Sequence, residues 1–77
     1  MSAAIMIVDD EEAIANLVEV YLQNEGFVVH KCFNAAQALQ CVEREKLDLA
    51  ILDVMLPDLD GFTLCQKIRE HHLFPIL

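Results

Sequence analysis

The chain has 77 residues, of which 13 are acidic and 5 are basic, so its formal net charge is −8. This charge repels phosphate backbones and anionic lipids, and we expect no direct nucleic-acid binding by this segment. Hydrophobic residues make up 56% of the sequence, which argues against disorder and predicts one small domain or part of one. No apolar run approaches the roughly 20 residues of a membrane span. The three cysteines, which lack C-x-x-C spacing, predict neither a disulfide framework nor a zinc knuckle and suit a cytoplasmic protein.

The first predicted elements are a strand and an amphipathic helix. Residues 3–8 are apolar and stop at Asp9 and Asp10, which favours a strand buried on both faces. From Asp10 onward, apolar residues recur at helical spacing: Ile14, Leu17, Val18, Tyr21 and Leu22. Acidic residues at the start of this helix suit the partial positive charge of its N-terminus. Gly26 predicts that the helix ends with a residue in the left-handed backbone conformation.

A second strand and a second helix follow. Residues 27–33 predict the strand, and Asn34 is a candidate N-cap for a helix that ends in the charged segment 43–46. The apolar stripe of this helix consists of Ala35, Ala38, Leu39 and Val42.

Residues 47–52 predict a third strand that ends, like the first, on an aspartate, Asp53. Asp60 is a candidate cap for a third helix, and residues 74–77 begin a further apolar strand.

Strands that alternate with helices of this length indicate a parallel sheet with right-handed crossovers, and therefore the α/β class. The ligand site of such a sheet lies beyond the carboxyl ends of its strands, where both aspartate clusters are placed.

Three carboxylates are expected to meet at this edge: Asp9, Asp10 and Asp53. Two unit charges about 5 Å apart repel by roughly 3 kcal/mol at an effective dielectric constant of 20, so the group needs a cation. Carboxylates, a backbone carbonyl, waters and a phosphate are ligands that suit Mg²⁺. The chemistry expected is phosphoryl transfer, and the nucleophile should lie at a strand end, which favours Asp53 over Asp10.

The sequence also allows other interpretations of the acidic residues. Asp10 and its neighbours could act only as helix-capping acids. A calcium loop is suggested by the D-x-D-G of residues 58–61, but with Gly61 at the sixth position the twelfth ligand would be Lys67. An aspartyl-phosphate phosphatase would need a general acid two residues after its nucleophile, where this chain has Met55.

Two segments resemble the receiver domain of two-component response regulators. They are residues 7–11, with the sequence IVDDE, and residues 52–62, with the sequence LDVMLPDLDGF. The second segment and the FPIL of residues 74–77 look most like receivers with a winged-helix DNA-binding output domain. The resemblance implies a flavodoxin-like (CheY-like) doubly wound fold with strand order 2-1-3.

The resemblance also implies a function and a site. A sensor histidine kinase would phosphorylate Asp53, and Mg²⁺ would be bound by Asp9, Asp10, Asp53 and the backbone carbonyl of Met55. The kinase would dock mainly on the first helix, where Ile14, Ala15 and Leu17 lie near the expected surface. The chain would act as a phosphoacceptor and not as an enzyme with turnover, and the full-length protein would control transcription.

The chain departs from this family in length. Receivers have five βα units, and residues 1–77 cover about three units and a stub of strand four, without an output domain. We therefore expect exposed apolar surface on the first helix and on strands three and four, and self-association or exchange of elements between two chains. The alternative function is a phosphorylation-incompetent receiver that acts only as a structural or interaction module.

Overall fold

The computed structural model describes residues 2–77, in which three parallel strands alternate with three α-helices. The elements in chain order are β1 (Ala4–Val8), α1 (Glu12–Asn24), β2 (Val28–Cys32), α2 (Ala35–Arg44), β3 (Leu49–Leu52) and α3 (Gly61–Arg69). The strand order is β2-β1-β3, as predicted. Near the end of the chain, Ile76 pairs in parallel with Ala50 of β3, which is the predicted start of a fourth strand.

The central strand β1 is covered on both sides. Its residues Ile5, Met6, Ile7 and Val8 are all buried, and successive side chains of a strand point to opposite faces. Helix α1 packs on β1 and β2, while α2 packs on the same two strands and on α3. The predicted α/β class and the flavodoxin-like arrangement are confirmed.

The main core lies between the sheet and the pair α2 and α3. Met6, Leu64 and Ile68 are fully buried there, and each such side chain contributes about 1.5 to 3 kcal/mol when it leaves water. Leu56 and Leu59, which precede α3, pack against the same cluster. This packing places the segment that follows β3 directly above the carboxyl end of the sheet.

The helix ends confirm several local predictions. The Asn34 side chain accepts a hydrogen bond from the Gln37 backbone N–H at 2.8 Å, and Asp60 accepts one from the Thr63 N–H at 2.8 Å. Gly26 ends α1 with a φ of 91°, a conformation that glycine adopts without strain.

Some predicted boundaries were wrong by one or two residues. Helix α1 begins at Glu12 and not at Asp10, because the Asp9 side chain accepts the Glu11 N–H at 2.9 Å and forms a turn before the helix. Strand β2 lacks the predicted end residues, and β3 begins at Leu49 instead of residue 47. Before β3, the Asp48 N–H donates to the Ala4 carbonyl at 2.8 Å and the Asp48 carboxylate accepts the Ala4 N–H at 2.8 Å, so a side chain supplements the backbone pairing at that point.

Helix α1 exposes much of its predicted apolar stripe. Ile14, Leu17 and Tyr21 are 44%, 58% and 68% exposed, which confirms the predicted apolar surface on the first helix. The expectation that Ala15 lies near the surface was wrong: it is completely buried, because it is the small residue by which α1 approaches the sheet. At the start of the fourth strand Leu77 is exposed, as expected. The expectation of exposed apolar surface on strand three was wrong, because Ala50 is buried and the other β3 residues are half-buried. None of the helices within residues 2–77 is long and apolar enough to cross a membrane.

Three contacts hold the loop between β3 and α3. The Gly61 N–H donates to the Val54 carbonyl at 2.7 Å, and the Asp60 carboxylate caps α3. The Asp58 carboxylate accepts the Ala35 N–H at 2.8 Å and the Ala36 N–H at 3.0 Å at the start of α2. The loop is therefore fixed both to the helix it precedes and to a neighbouring one.

We expect Gly61→Ala to lower the free energy of unfolding by about 1 to 3 kcal/mol, the usual cost of overpacking. A Cβ at Gly61 would collide with the Asp53 carbonyl and lie 2.9 Å from the Val54 Cα, and neither backbone atom can move freely. Urea denaturation measures the change. Gly26→Asn is the control, since nothing lies within 4 Å of a Cβ there and asparagine tolerates positive φ. Equal costs for the two variants would contradict the close approach at Gly61.

We also expect the two capping carboxylates to make the fold acid-sensitive. The Ala35 N–H holds the pKa of Asp58 below the ordinary 3.8, and the Thr63 N–H does the same to the pKa of Asp60. A depressed pKa adds stability above the ordinary value, and this stability is lost as the pH falls through the lower folded pKa. The midpoint of urea denaturation should fall as the pH is lowered from about 6 to 2. It should fall less steeply in the double variant Asp58→Asn, Asp60→Asn than in the wild type, because asparagine keeps an acceptor oxygen but does not titrate. If the urea midpoints of the wild type and the double variant fall equally with pH, the two carboxylates are not the origin of the acid sensitivity.

Candidate metal centre

The register of the sheet brings two strand ends together. In the parallel pairing of β1 with β3, Val8 lies opposite Leu52, and the ladder continues with a 2.9 Å hydrogen bond from the Asp53 N–H to the Val8 carbonyl. Asp9 and Asp53 directly follow these paired residues. The predicted proximity of the two strand ends therefore results from backbone hydrogen bonds, before any side chain is considered.

Three carboxylates meet at this edge. Asp9, Asp10 and Asp53 each have a carboxylate oxygen within 4.8 Å of the others, with Asp9 and Asp53 half-buried and Asp10 exposed. Each pair of charges at this distance repels by about 3 kcal/mol at an effective dielectric constant of 20. Within residues 2–77, the single ion pair joins Lys31 to Glu19 at 3.0 Å, so no basic side chain neutralises the three acids. The cluster has the charge and the oxygen donors that a hard divalent cation requires.

Capping does not explain Asp10. The N-cap position of α1 is Glu11, whose side chain makes no capping hydrogen bond. The backbone N–H of Glu11 donates to the Asp9 carboxylate, and this hydrogen bond fixes the direction of the Asp9 side chain. Asp10 precedes the cap and extends into solvent beside the other two carboxylates.

The Asp53 carboxylate is held only loosely. One of its oxygens accepts the Met55 N–H at 3.4 Å, which is beyond the range of a strong hydrogen bond. The oxygen lone pairs thus remain available to a cation or to an electrophile. A cavity of about 220 Å³, bounded mainly by apolar residues such as Leu52, Val54 and Phe62, opens beside Asp53 and leaves room for a second molecule.

The backbone around Met55 is joined to the start of α3. Met55 and Asp60 form an antiparallel bridge next to the hydrogen bond between Val54 and Gly61. The Met55 side chain is exposed and has no place in the core, so the structure of the loop determines the position of its main chain.

Sequence reasoning missed the part played by Asp58. The residue was considered only as a ligand of a calcium loop, but Asp58 binds the start of α2 and Asp60 the start of α3. These two carboxylates are therefore engaged by different helices and do not converge on a cation. No pattern in the sequence near Asp58 indicates its partners, because Ala35 and Ala36 lie 23 and 22 residues earlier.

The buried Cys32 and Cys41 do not belong to this site or to a reactive centre. Burial, reinforced by the neighbouring Cys41, raises the pKa of the Cys32 thiol to about 12. Burial also raises the pKa of Cys41. Both thiols stay protonated at neutral pH and pack in the core as small apolar groups, as expected from the sequence.

Comparison with known proteins shows relatives along the whole chain. The family model of the response regulator receiver domain matches residues 5–77. The regulatory protein VanR of Enterococcus faecium is 54% identical over 77 residues, which are all of this chain and 33% of VanR. The alkaline phosphatase synthesis transcriptional regulatory protein PhoP of Bacillus subtilis is 45% identical over 78 residues, or 32% of its length. The chain thus spans about a third of the length of these curated relatives.

Solved structures agree with this match. A two-component response regulator from Clostridium difficile superimposes with a TM-score of 0.95 at 31% identity, over 97% of this chain and 62% of the other. The chemotaxis response regulator CheY4 of Vibrio cholerae has the same TM-score at 28% identity, over 99% and 66% of the two chains. The response regulator TrrA of Thermotoga maritima, described in complex with Mg²⁺ and BeF, has a TM-score of 0.84 at 34% identity, over 88% and 59%. The sequence match over residues 5–77 and the shared fold show that this chain belongs to the response regulator receiver domain family.

Proposed function

We propose that the chain is the phosphoacceptor segment of a two-component response regulator, in which Asp53 receives a phosphoryl group from a sensor histidine kinase with the help of Mg²⁺. The observation that supports this proposal best is the meeting of three carboxylates within 4.8 Å at the carboxyl edge of the sheet. Residues 1–77 would form the amino-terminal part of the receiver. The complete protein would control transcription, as the names of VanR and PhoP indicate for those relatives.

The residues at this edge fit Mg²⁺. Asp9, Asp10, Asp53 and the backbone carbonyl of Met55 would hold the ion, since all four offer the hard oxygen donors that it prefers. When bound, Mg²⁺ would offset the carboxylate charges and the negative charge of the entering phosphoryl group. The Mg²⁺ named in the description of TrrA gives this assignment independent support.

Asp53 is the nucleophile in this proposal. One carboxylate oxygen forms a bond to phosphorus in line with the leaving group, and the bond from phosphorus to the kinase histidine breaks. The imidazole keeps the bonding electron pair, and Asp53 becomes an acyl phosphate. The product remains on the protein, so the chain is a substrate of the kinase and does not turn over a substrate of its own.

The kinase would dock on α1 beside the site. Ile14 and Leu17 are exposed on this helix and can contact a partner, whereas the buried Ala15 cannot. Both exposed residues lie within two turns of the acidic cluster, close enough for a partner bound there to present its histidine to Asp53.

Acetyl phosphate and Mg²⁺ should add one phosphoryl group to the chain, because Asp53 is open to a small donor. Intact mass spectrometry would measure the gain, which should vanish in Asp53→Asn and in excess EDTA. The matched control is Asp48→Asn, which changes a carboxylate that binds the Ala4 N–H and lies outside the cluster.

A folded chain that gains no mass would contradict the phosphoacceptor proposal. Circular dichroism would establish that the sample is folded. That outcome would support the alternative function, a phosphorylation-incompetent interaction module. Labelling that persists in Asp53→Asn would place the acceptor at another residue.

We also propose that, when no kinase is bound there, the apolar stripe of α1, formed by Ile14, Leu17 and Tyr21, binds a second copy of the chain. These three residues are spaced by three and four positions and therefore share one face of the helix. A continuous exposed apolar face of this kind favours association, while the net charge of −8 opposes it.

Sedimentation should therefore show a concentration-dependent dimer that strengthens as salt screens the charge. Leu17→Asn should shift the equilibrium to monomer by about tenfold or more, roughly the effect of losing 1.4 kcal/mol. Leu73→Asn is the control, since Leu73 is 91% exposed but lies outside α1. A wild-type chain that stays monomeric at high concentration and high salt would exclude this association.

A further inference from the structure

The loop between Asp53 and Gly61 is fastened at two levels. At its base, the Met55–Asp60 bridge and the hydrogen bond from Gly61 to Val54 join the two sides of the loop. At its tip, the Asp58 carboxylate binds the start of α2 through both oxygens, at 2.8 and 3.0 Å. The loop that contains Met55 is thus fixed to the start of a helix, at residues that precede Asp58 by 23 and 22 positions.

The start of α2 is capped by a local side chain as well as by Asp58. Its N-cap residue Asn34 already accepts the Gln37 N–H at 2.8 Å, and the Gln37 side chain accepts the Phe33 N–H at 2.8 Å. These bonds resemble a capping box but satisfy only the Gln37 N–H of the first turn, and the Ala35 and Ala36 N–H groups are bound by Asp58. The bonds to Asp58 therefore complete the cap of α2 and at the same time hold the loop to this helix.

The charge of Asp58 suits this attachment. The N–H groups at a helix start have a partial positive charge and bind an ionised carboxylate more strongly than a neutral group. The side chain is exposed, so its hydrogen bonds compete with water and the attachment can open and close. Its strength then determines how much of the time the loop keeps the shape seen in the structure.

We propose that Asp58 is a positioning residue of the metal centre: by holding the tip of the loop to α2, it fixes the main chain of Met55, whose N–H donates to the Asp53 carboxylate at 3.4 Å, and so raises the affinity for Mg²⁺. This inference rests on the proposed function, which assigns the Mg²⁺ ligands. Residues that orient metal ligands typically change metal affinity by roughly 10- to 100-fold when they are replaced.

Isothermal titration of Mg²⁺ into the metal-free chain tests this role. We expect Asp58→Ala to weaken Mg²⁺ binding about tenfold or more, and Asp58→Asn, which keeps one acceptor oxygen, to recover part of the loss. The matched control is Asp48→Ala, because Asp48 also accepts a backbone N–H at 2.8 Å but lies at the opposite end of the sheet. Its Mg²⁺ affinity should equal that of the wild type.

A second measurement needs no variant. If the contact between Asp58 and α2 raises the affinity for Mg²⁺, then Mg²⁺ must stabilise the contact by the same factor. Hydrogen exchange of the Ala35 and Ala36 amides should slow when Mg²⁺ is added, whereas the Ala4 amide, which is bound to Asp48, should not change. A purely structural cap would not produce this response.

The outcomes separate this inference from the function on which it rests. A wild-type chain that binds no Mg²⁺ overturns both. Wild-type binding with equal affinity in Asp58→Ala, or unchanged exchange at Ala35 and Ala36, overturns only the positioning role. If Asp58→Ala does not fold, then Asp58→Asn and the exchange measurement decide the question.

Discussion

The pairing of β1 with β3 is the constraint on which the site depends. Because Val8 lies opposite Leu52, the residues that follow both strands emerge side by side at the carboxyl edge. A shift by one residue would turn every side chain of the shifted strand to the opposite face. The close packing of Ile5 to Val8, which are buried on both sides of the sheet, opposes such a shift. The packing of apolar side chains thus keeps three mutually repelling carboxylates together, at a cost that hydrophobic burial offsets.

The acidic residues near this edge form two groups with different surroundings. Asp58 and Asp60 each accept backbone N–H groups at a helix start, where the partial positive charge stabilises them. Among the residues that the structure describes, no basic side chain is paired with Asp9, Asp10 or Asp53, and a bound cation would relieve their mutual repulsion. The same sequence segment therefore contains carboxylates that stabilise the fold and a carboxylate that is available for chemistry.

Features that depend on neighbours in sequence could be predicted. The Asn34 and Asp60 caps and the left-handed Gly26 follow from interactions within three or four residues, and all three occur as expected. The convergence of the three acids also followed, because the alternation of strands and helices leads to few possible sheets. The start of α1 was placed too early and Ala15 was placed at the surface, since the turn at Asp9 and the approach of α1 to the sheet are set by packing.

By itself, the sequence determined the α/β class and the identity of the acidic cluster, because hydrophobic periodicity and residues at strand ends are local properties of the chain. The strand order followed from the resemblance of its motifs to receiver domains. Only the tertiary structure decided how the loop after Asp53 is held. The bonds from Asp58 to α2 span more than 20 residues, and the need for glycine at position 61 arises from the close approach of α3 to the backbone of Asp53 and Val54. Such contacts exist only once the helices have packed on the sheet, so no local pattern can encode them.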